Sequence, residues 1–397
     1  MCFLALASLS LASCDSGDPH QSKAHSTGVR LVYRADSTAA AKVDRASLDR
    51  AVEVMRRRVG GLGVMPASIR VEGAHQISVE LPDVGDVQLA QEIVGNTAQL
   101  YFYDWEPNVV GPNGTTGPNS GALTGGEKPA SVGAGLPEYE AVLRAAKRPP
   151  ILRPNDTTLQ PGCTTAQAGG CIYGSWYLLD TKHQKMLCSD GEPICGPADT
   201  KAELYANHYR PPAGTKLKVV HVNPGTVLVE ALEESNDRIV KRAPNSFYVL
   251  NDDPVLSGED INNPRQGLFY PQQGLLNKRE NAGQPDVAFG FSSSHARMVF
   301  ERLTREIAHR GINAHLPRVP KARALQHFAV VLDEQVISAP SIDYTLYPEG
   351  IDAVHGSQIT GSFTLASARK LADELRWGSL LINLELISSS GVSAGAN

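Results

Sequence analysis

The sequence predicts an α+β protein in three parts: a strand–helix–strand–strand–helix–strand base, a second α+β head, and a cysteine-bearing insertion between them. Three observations carry this expectation. Apolar residues alternate at period two and recur at helical spacing in two separate blocks, residues 28–106 and 247–390. Between them, residues 107–246 are dense in Gly and Pro and weakly periodic. The length of 397 residues is enough for more than one core.

In the first block, residues 30–34 read as a strand. Leu48, Ala51, Val52, Met55 and Val59 then recur at helical spacing, with Ser47 as the N-cap and Gly60-Gly61 as the stop. The triple Arg56-Arg57-Arg58 reads as a solvated last turn that complements the helix dipole. Residues 68–72 and 76–81 form the next two strands, turned at Gly73-Ala74. In the second of these Ile77, Val79 and Leu81 alternate with Ser78 and Glu80, and Pro82 ends it. Asp86 caps a short helix carrying Leu89, Ala90 and Ile93, stopped at Gly95. Residues 99–105 supply the fourth strand. This order is the split βαβ, or ferredoxin-like, arrangement, with two helices on one face of a four-stranded antiparallel sheet.

Within 107–246, a helix is expected over 139–147 and a pair of strands over 216–233 around Pro224-Gly225. A segment this long needs a core of its own, so a stapled subdomain is expected. In the second block, strands are expected at 247–250, 256–261 and 287–291. Ser293 or Ser294 caps a helix with Ala296, Val299, Phe300, Leu303 and Ile307 on one face, ended by Gly311. Residues 328–341 form a hairpin that turns at Asp333-Glu334. Thr364 caps a helix with the stripe Leu365, Ala368, Leu371, Ala372 and Leu375, stopped at Gly378. A strand over 380–387 closes the head, and 391–397 read as a tail.

Composition narrows the function. Hydrophobic residues make up 42%, charged residues 20%, and the net charge is −5, with no basic cluster to neutralise phosphates. Nucleic acid is therefore excluded as a partner. Gly391-Val392-Ser393-Ala394-Gly395 spells G-x-S-x-G but lacks the helix and the acid and histidine partners that a nucleophile elbow needs. The eleven histidines make no His-x-x-x-His pair. His309, His315 and His327 are spaced too irregularly to share an ion and read as surface residues. Paired carboxylates such as Asp252-Asp253 fall at turns. No Gly-rich phosphate loop follows a strand. The expectation is no enzyme, no metal and no cofactor.

Residues 1–14 form an apolar run too short to span a bilayer and suited to a signal peptide. Its end, Leu11-Ala12-Ser13-Cys14, resembles the lipobox of bacterial lipoproteins. That resemblance implies lipid on Cys14, a polar tether over 15–27, and retention at the inner membrane through Asp15. A signal cleaved without lipidation is the alternative reading. Cys163, Cys171, Cys188 and Cys195 then remain, an even set that suits two disulfides in an oxidising compartment. Their spacing lacks the close Cys pairs of a zinc site, and three connectivities stay open.

Three motifs in the base resemble the SecD family, accessory subunits of the bacterial protein-export channel. These are Arg58-Val-Gly-Gly-Leu-Gly-Val64, Ile77-Ser-Val-Glu-Leu-Pro82 and Thr97-Ala-Gln-Leu-Tyr-Phe102. In the head, Phe328-Ala-Val-Val-Leu-Asp-Glu-Gln-Val-Ile-Ser-Ala-Pro-Ser341 and Gln358-Ile-Thr-Gly-Ser-Phe-Thr364 do the same, and the similarity extends to Gly395. The resemblance implies base and head of the first periplasmic domain. Taken with the lipobox, it implies a non-catalytic, lipid-anchored module at the outer face of the inner membrane or in the periplasm. Such a module would assist export by contacting unfolded polypeptide or Sec translocon components, at an exposed head-sheet edge or an apolar cleft between base and head. Two other readings stand beside it. One is a truncated product or isolated domain of a full SecD; the other is an envelope lipoprotein that binds a small ligand or acts as a scaffold.

Overall fold

The computed structural model describes residues 27–36, 43–111, 135–151, 175–180, 195–198, 201–206, 216–230, 246–268, 283–315 and 321–393, apart from breaks at 62, 65–66, 83, 85–86, 322–323, 361–362 and 381. The chain opens with β1 (Thr27–Asp36) and α1 (Arg45–Gly61), then β2 (Ser68–Glu72), β3 (Gln76–Leu81) and α2 (Val87–Val94). β4 (Leu100–Asp104) runs straight into the short α3 (Trp105–Asn108). The insertion contributes β5 (Leu136–Pro137), α4 (Glu138–Ala145), β6 (Ser175–Asp180), β7 (Cys195–Ala198), α5 (Lys201–Ala206), β8 (Leu217–Val222) and β9 (Thr226–Glu230). Next come β10 (Ser246–Asn251), β11 (Leu256–Ser257), β12 (Ile261–Leu268), β13 (Pro285–Phe291) and α6 (Ser294–Ala314). The last elements are β14 (Gln326–Leu332), β15 (Gln335–Ser338), β16 (Ser341–Ile342), β17 (Ser357–Thr360), α7 (Leu365–Trp377) and β18 (Asn383–Ser393).

The base is a four-stranded sheet in the order β18-β1-β3-β2. The expected fourth strand is corrected here. β4 leaves for the head, where it pairs antiparallel with β14 from Leu100↔Leu332 to Asp104↔Phe328. Its place beside β1 is taken by β18, paired antiparallel from Asp36↔Asn383 to Thr27↔Ser393. The reason is packing. Leu380 and Ile382, with Leu384 and Leu386 beside them, enter the base core of Leu31, Leu48, Met55, Ile77 and Val79. Leu100 and Phe102 instead enter the head core with Phe300, Phe328 and Val330. Residues 391–393, expected as tail, belong to β18.

The cap of α1 also moves. Ser47 N–H donates to Asp44 Oδ1 at 2.7 Å while Asp44 N–H donates to Ser47 Oγ at 2.9 Å, so Asp44 is the capping residue and Ser47 closes a capping box. Ser293 and Thr364 cap α6 and α7 as expected. α6 continues past Gly311 to Ala314, and the glycine serves packing instead of a stop: the Tyr344 ring lies where a side chain at position 311 would stand.

The insertion is sewn into the head. β8 and β9 meet at a turn in which Gly225 has φ +82°, but they enter different sheets. β8 pairs with β6, and β9 pairs with β10, extending the path β11-β4-β14-β15-β9-β10-β5. The expected pair of strands around Pro224-Gly225 is present as β8 and β9, but the two do not pair with each other. α4 fills the space between the sheets with Ala141, Val142 and Ala145, against Tyr177, Leu179, Val220 and Val222. Side chains of β4, β9, β10 and β14 meet in a further core where the Trp105 and Tyr248 rings stand edge to face at 4.9 Å.

Candidate functional site

Two linkers cross between base and head, and they run side by side. The outgoing linker, residues 95–99, follows α2; the returning one, described at residues 378–380 and 382, follows α7. Leu380 N–H donates to Thr97 O at 2.7 Å, and Gln99 Nε2 donates to Leu380 O at 2.7 Å. Arg58, in the last turn of α1, spans both. Its Nη1 donates to Asn96 O, and its Nη2 donates to Gly378 O at 2.9 Å. Arg58 is buried, at 1% exposed, which corrects the solvated reading of the arginine triple. Its neighbours differ: Arg57 pairs with Glu53 on the surface, and the exposed Arg56 reaches Ile69 O at 2.8 Å. Burial pushes the Arg58 guanidinium down to about 10, while Glu374 and Asp333 pull the other way.

The hairpin tip completes this junction. Asp333 and Glu334 have φ of +48° and +62°, the positive pair of a type I′ turn, here without glycine. Such a turn needs outside support, and the Asp333 carboxylate provides it. It accepts Gln99 N–H at 2.8 Å, Ala98 N–H at 3.1 Å and the Thr97 hydroxyl. Asp333 N–H donates back to Gln99 O at 3.0 Å. On the other flank, Asn96 Nδ2 donates to Glu374 Oε1 at 2.6 Å, and burial pushes the Glu374 carboxyl up. The expected apolar cleft is thus not found among the described residues of this junction, which hydrogen-bonded polar groups fill. The arrangement fixes base against head.

Of the residues singled out from sequence, Cys14, Cys163, Cys171 and Cys188 lie outside the described residues. Cys195 opens β7, is buried, and is disulfide-bonded. His309 and His315 are exposed as expected. His327 is corrected: it is 6% exposed, inside a strand covered on both faces. The arginine that spans the linkers was legible in one respect, since position 58 follows Met55 by three on the buried stripe of α1. Among the described residues no group of three or more His, Cys, Asp or Glu is arranged to hold a metal. Among the same residues no helix is long and apolar enough to cross a membrane.

An open sheet edge lies on the base. Among the described strands, β18 pairs only with β1. A bulge between Val32 and Tyr33 leaves Ile387 without a register partner. Residues 387–392 carry no charge, and Ile387 and Val392 are exposed. The opposite edge differs: on β2, Arg70 and Glu72 lace with Arg30 and Glu80. In the head, β12 is a poor template for added strands. It holds Pro264, has Asn263 at φ +47°, and gives its Pro264 carbonyl to Arg376 at 3.0 Å.

Base and head, joined by paired linkers and bearing an insertion within the head sheet, define a two-bodied α+β module. The family model described as the N-terminal part of the P1 domain of protein translocase subunit SecDF matches residues 48–107. The model of the SecDF P1 head subdomain matches residues 233–382. Together they take in more than half of the chain. SecD of Syntrophobacter fumaroxidans is 23% identical over 358 residues, covering 90% of this chain and 41% of that protein. SecD of Elusimicrobium minutum is 23% identical over 352 residues, covering 89% of this chain and 47% of that protein. SecD of Acidaminococcus fermentans is 39% identical over 83 residues, covering 21% of this chain and 20% of that protein. The chain thus spans less than half the length of these relatives. Among solved structures, SecDF in its super-membrane-facing form aligns with TM-score 0.43 at 17% identity, covering 94% of this chain and 32% of that one. A SecDF structure described as a membrane component that enhances protein export aligns with TM-score 0.42 at 17% identity, covering 90% of this chain and 98% of that one. The chain belongs to the SecD family, as the base and head of its first periplasmic domain.

Proposed function

We propose that this module serves protein export without catalysing a reaction, by holding unfolded polypeptide outside the inner membrane, with Sec translocon components as further contacts. The observation that carries the reading is the match of two SecDF family models to the two bodies joined at Arg58. The relatives are protein translocase subunits. An extended chain would add to the open, uncharged edge of β18, where backbone hydrogen bonds hold it with little regard for sequence. Affinity is expected to be weak, micromolar or poorer and so about −8 kcal/mol or less favourable, because ordering an extended chain costs entropy at every residue. Fluorescence anisotropy of the chain from Asp15 onward, against an exported protein in unfolded and folded forms, tests this. Preference for the unfolded form is expected, weakened when Ser388 and Ser390 are both changed to Lys. No binding to either form, with tight binding of a small molecule, would replace the reading with a ligand-binding one.

The proposal includes a lipid on Cys14 and two disulfides among Cys163, Cys171, Cys188 and Cys195, each disulfide contributing about 2–4 kcal/mol to the insertion. Cys195 already supports the second part. Intact mass of protein extracted from the envelope checks both. Alkylation is expected to leave the mass of the four central cysteines unchanged, and Cys14→Ser to remove the lipid mass. Four alkylated thiols, or equal masses with and without the Cys14 change, would refute the respective part.

A further inference from the structure

The corner where β4 turns into α3 buries more charge than a packed corner requires. Asp104 ends β4, and Glu106 stands in α3 at 0% exposed. Arg310 reaches in from α6. Its Nη1 donates to Asp104 Oδ2 at 2.9 Å, its Nη2 donates to the other oxygen, and the same Nη2 lies 3.9 Å from Glu106 Oε2. From β14, His327 N–H donates to Glu106 Oε1 at 3.0 Å and Oε2 at 3.1 Å, and the ring Nδ1 sits 2.9 Å from Oε1. His327 Nε2 is buried and makes no hydrogen bond. Glu306 of α6 also acts on Asp104. β16 sets Ser341 opposite His327 and brings no charged group. From β10, the Tyr248 ring covers Trp105.

We propose that Asp104, Glu106, Arg310 and His327 form one proton-binding site, and that the proton it holds fastens α3 to β14 and α6. Charge counting leads to this. Arg310 supplies one positive charge for two buried carboxylates, so without a further proton the site carries an uncompensated negative charge, which burial strongly disfavours. One proton restores balance. It belongs to the coupled group rather than to a single residue.

The carboxyl that ends β4 points the same way. Burial pushes Asp104 up to about 6, against the opposing pull of Arg310, and Glu106 and Glu306 add to the rise. In the unfolded chain it titrates at its ordinary value of 3.8. The folded head therefore keeps a proton that the unfolded chain releases. This stabilisation is complete below 3.8 and is lost as pH rises through about 6. The usual ion-paired carboxylate behaves in the opposite sense, losing stability in acid. The head would thus firm up on mild acidification and loosen as pH rises through about 6, with no further change from this site above that.

The test is urea unfolding of the full chain at pH 5 and pH 7.5, for wild type, Asp104→Asn and Glu106→Gln. From pH 5 to 7.5, the wild-type folding constant is expected to fall about tenfold relative to that of Asp104→Asn, and by a smaller factor relative to Glu106→Gln. Comparison with each variant cancels titrations elsewhere in the chain. Parallel pH profiles for all three proteins would overturn the proposal. Should a variant fail to fold, NMR of the wild type decides: the His327 ring signals and the Asp104 carboxyl carbon are expected to shift together near pH 6. Signals flat across that range would refute the shared site.

Discussion

Leu371→Asp is expected to unfold the head. Leu371 is 4% exposed on the face of α7 that lies over β12 and β13. It belongs to the core that also holds Phe300, Leu303 and Ile307 of α6, Phe328 and Val330 of β14, and Ala368, Ala372 and Leu375 of its own helix. An aspartate there gives up the leucine's burial and places a carboxylate among apolar groups with no partner. The combined cost, about 4 kcal/mol or more, approaches the whole stability of an ordinary domain. Circular dichroism melting reads it: loss of the head transition is expected. A variant that melts like wild type would mean that α7 presents another face.

Arg58→Met carries the second large effect. Methionine keeps much of the apolar stem but leaves Asn96 O and Gly378 O without their donor. It also removes the positive charge facing Glu374 and Asp333. Removing one partner from a buried charged network costs about 3–5 kcal/mol. The damage should concentrate at the linkers, since the guanidinium is what crosses both. Hydrogen exchange is the suitable readout. The amides of Ala98, Gln99 and Leu380 are expected to exchange faster, while those within β14 keep their protection. Unchanged exchange at the linker amides would show that the paired linkers hold without Arg58. Arg58→Lys is expected to recover little, because one ammonium cannot reproduce the guanidinium's two directed bonds across both linkers.

Much of the local architecture was legible in the sequence. The stripe Leu48, Ala51, Val52, Met55 and Val59 is the buried face of α1, and β2 and β3 run over the residues where period two placed them. Ser293 and Thr364 cap their helices through side-chain bonds that short-range sequence suffices to predict. Partnership was not legible. Nothing in the alternation of residues 99–105 says which sheet they join, and β18 finds β1 across nearly the whole chain. Period two reveals a face, whereas register and neighbour depend on what fills the core behind it. The burial of His327 comes from its setting, Gln326 to Leu332, a strand shielded on both sides, which irregular histidine spacing does not reveal. Arg58 was misread for a related cause: its acceptors are backbone carbonyls, and a carbonyl leaves no trace in a sequence.

The pairing of β1 with β18 has a kinetic consequence. β1 emerges early and must wait as an unroofed edge until Leu380, Ile382 and the rest of β18 arrive to cover it. The head needs only β4 onward, and its hairpin closes over a few residues. Contacts that close short loops form before those that close long ones. The head is therefore expected to gain protection first, and the base last, in a refolding time course. The head core closes only with α7, and β18 follows α7 directly, so a chain that folds as it emerges carries both bodies open until its last part is made. In that interval the edge of β1 is the surface most exposed to mispairing.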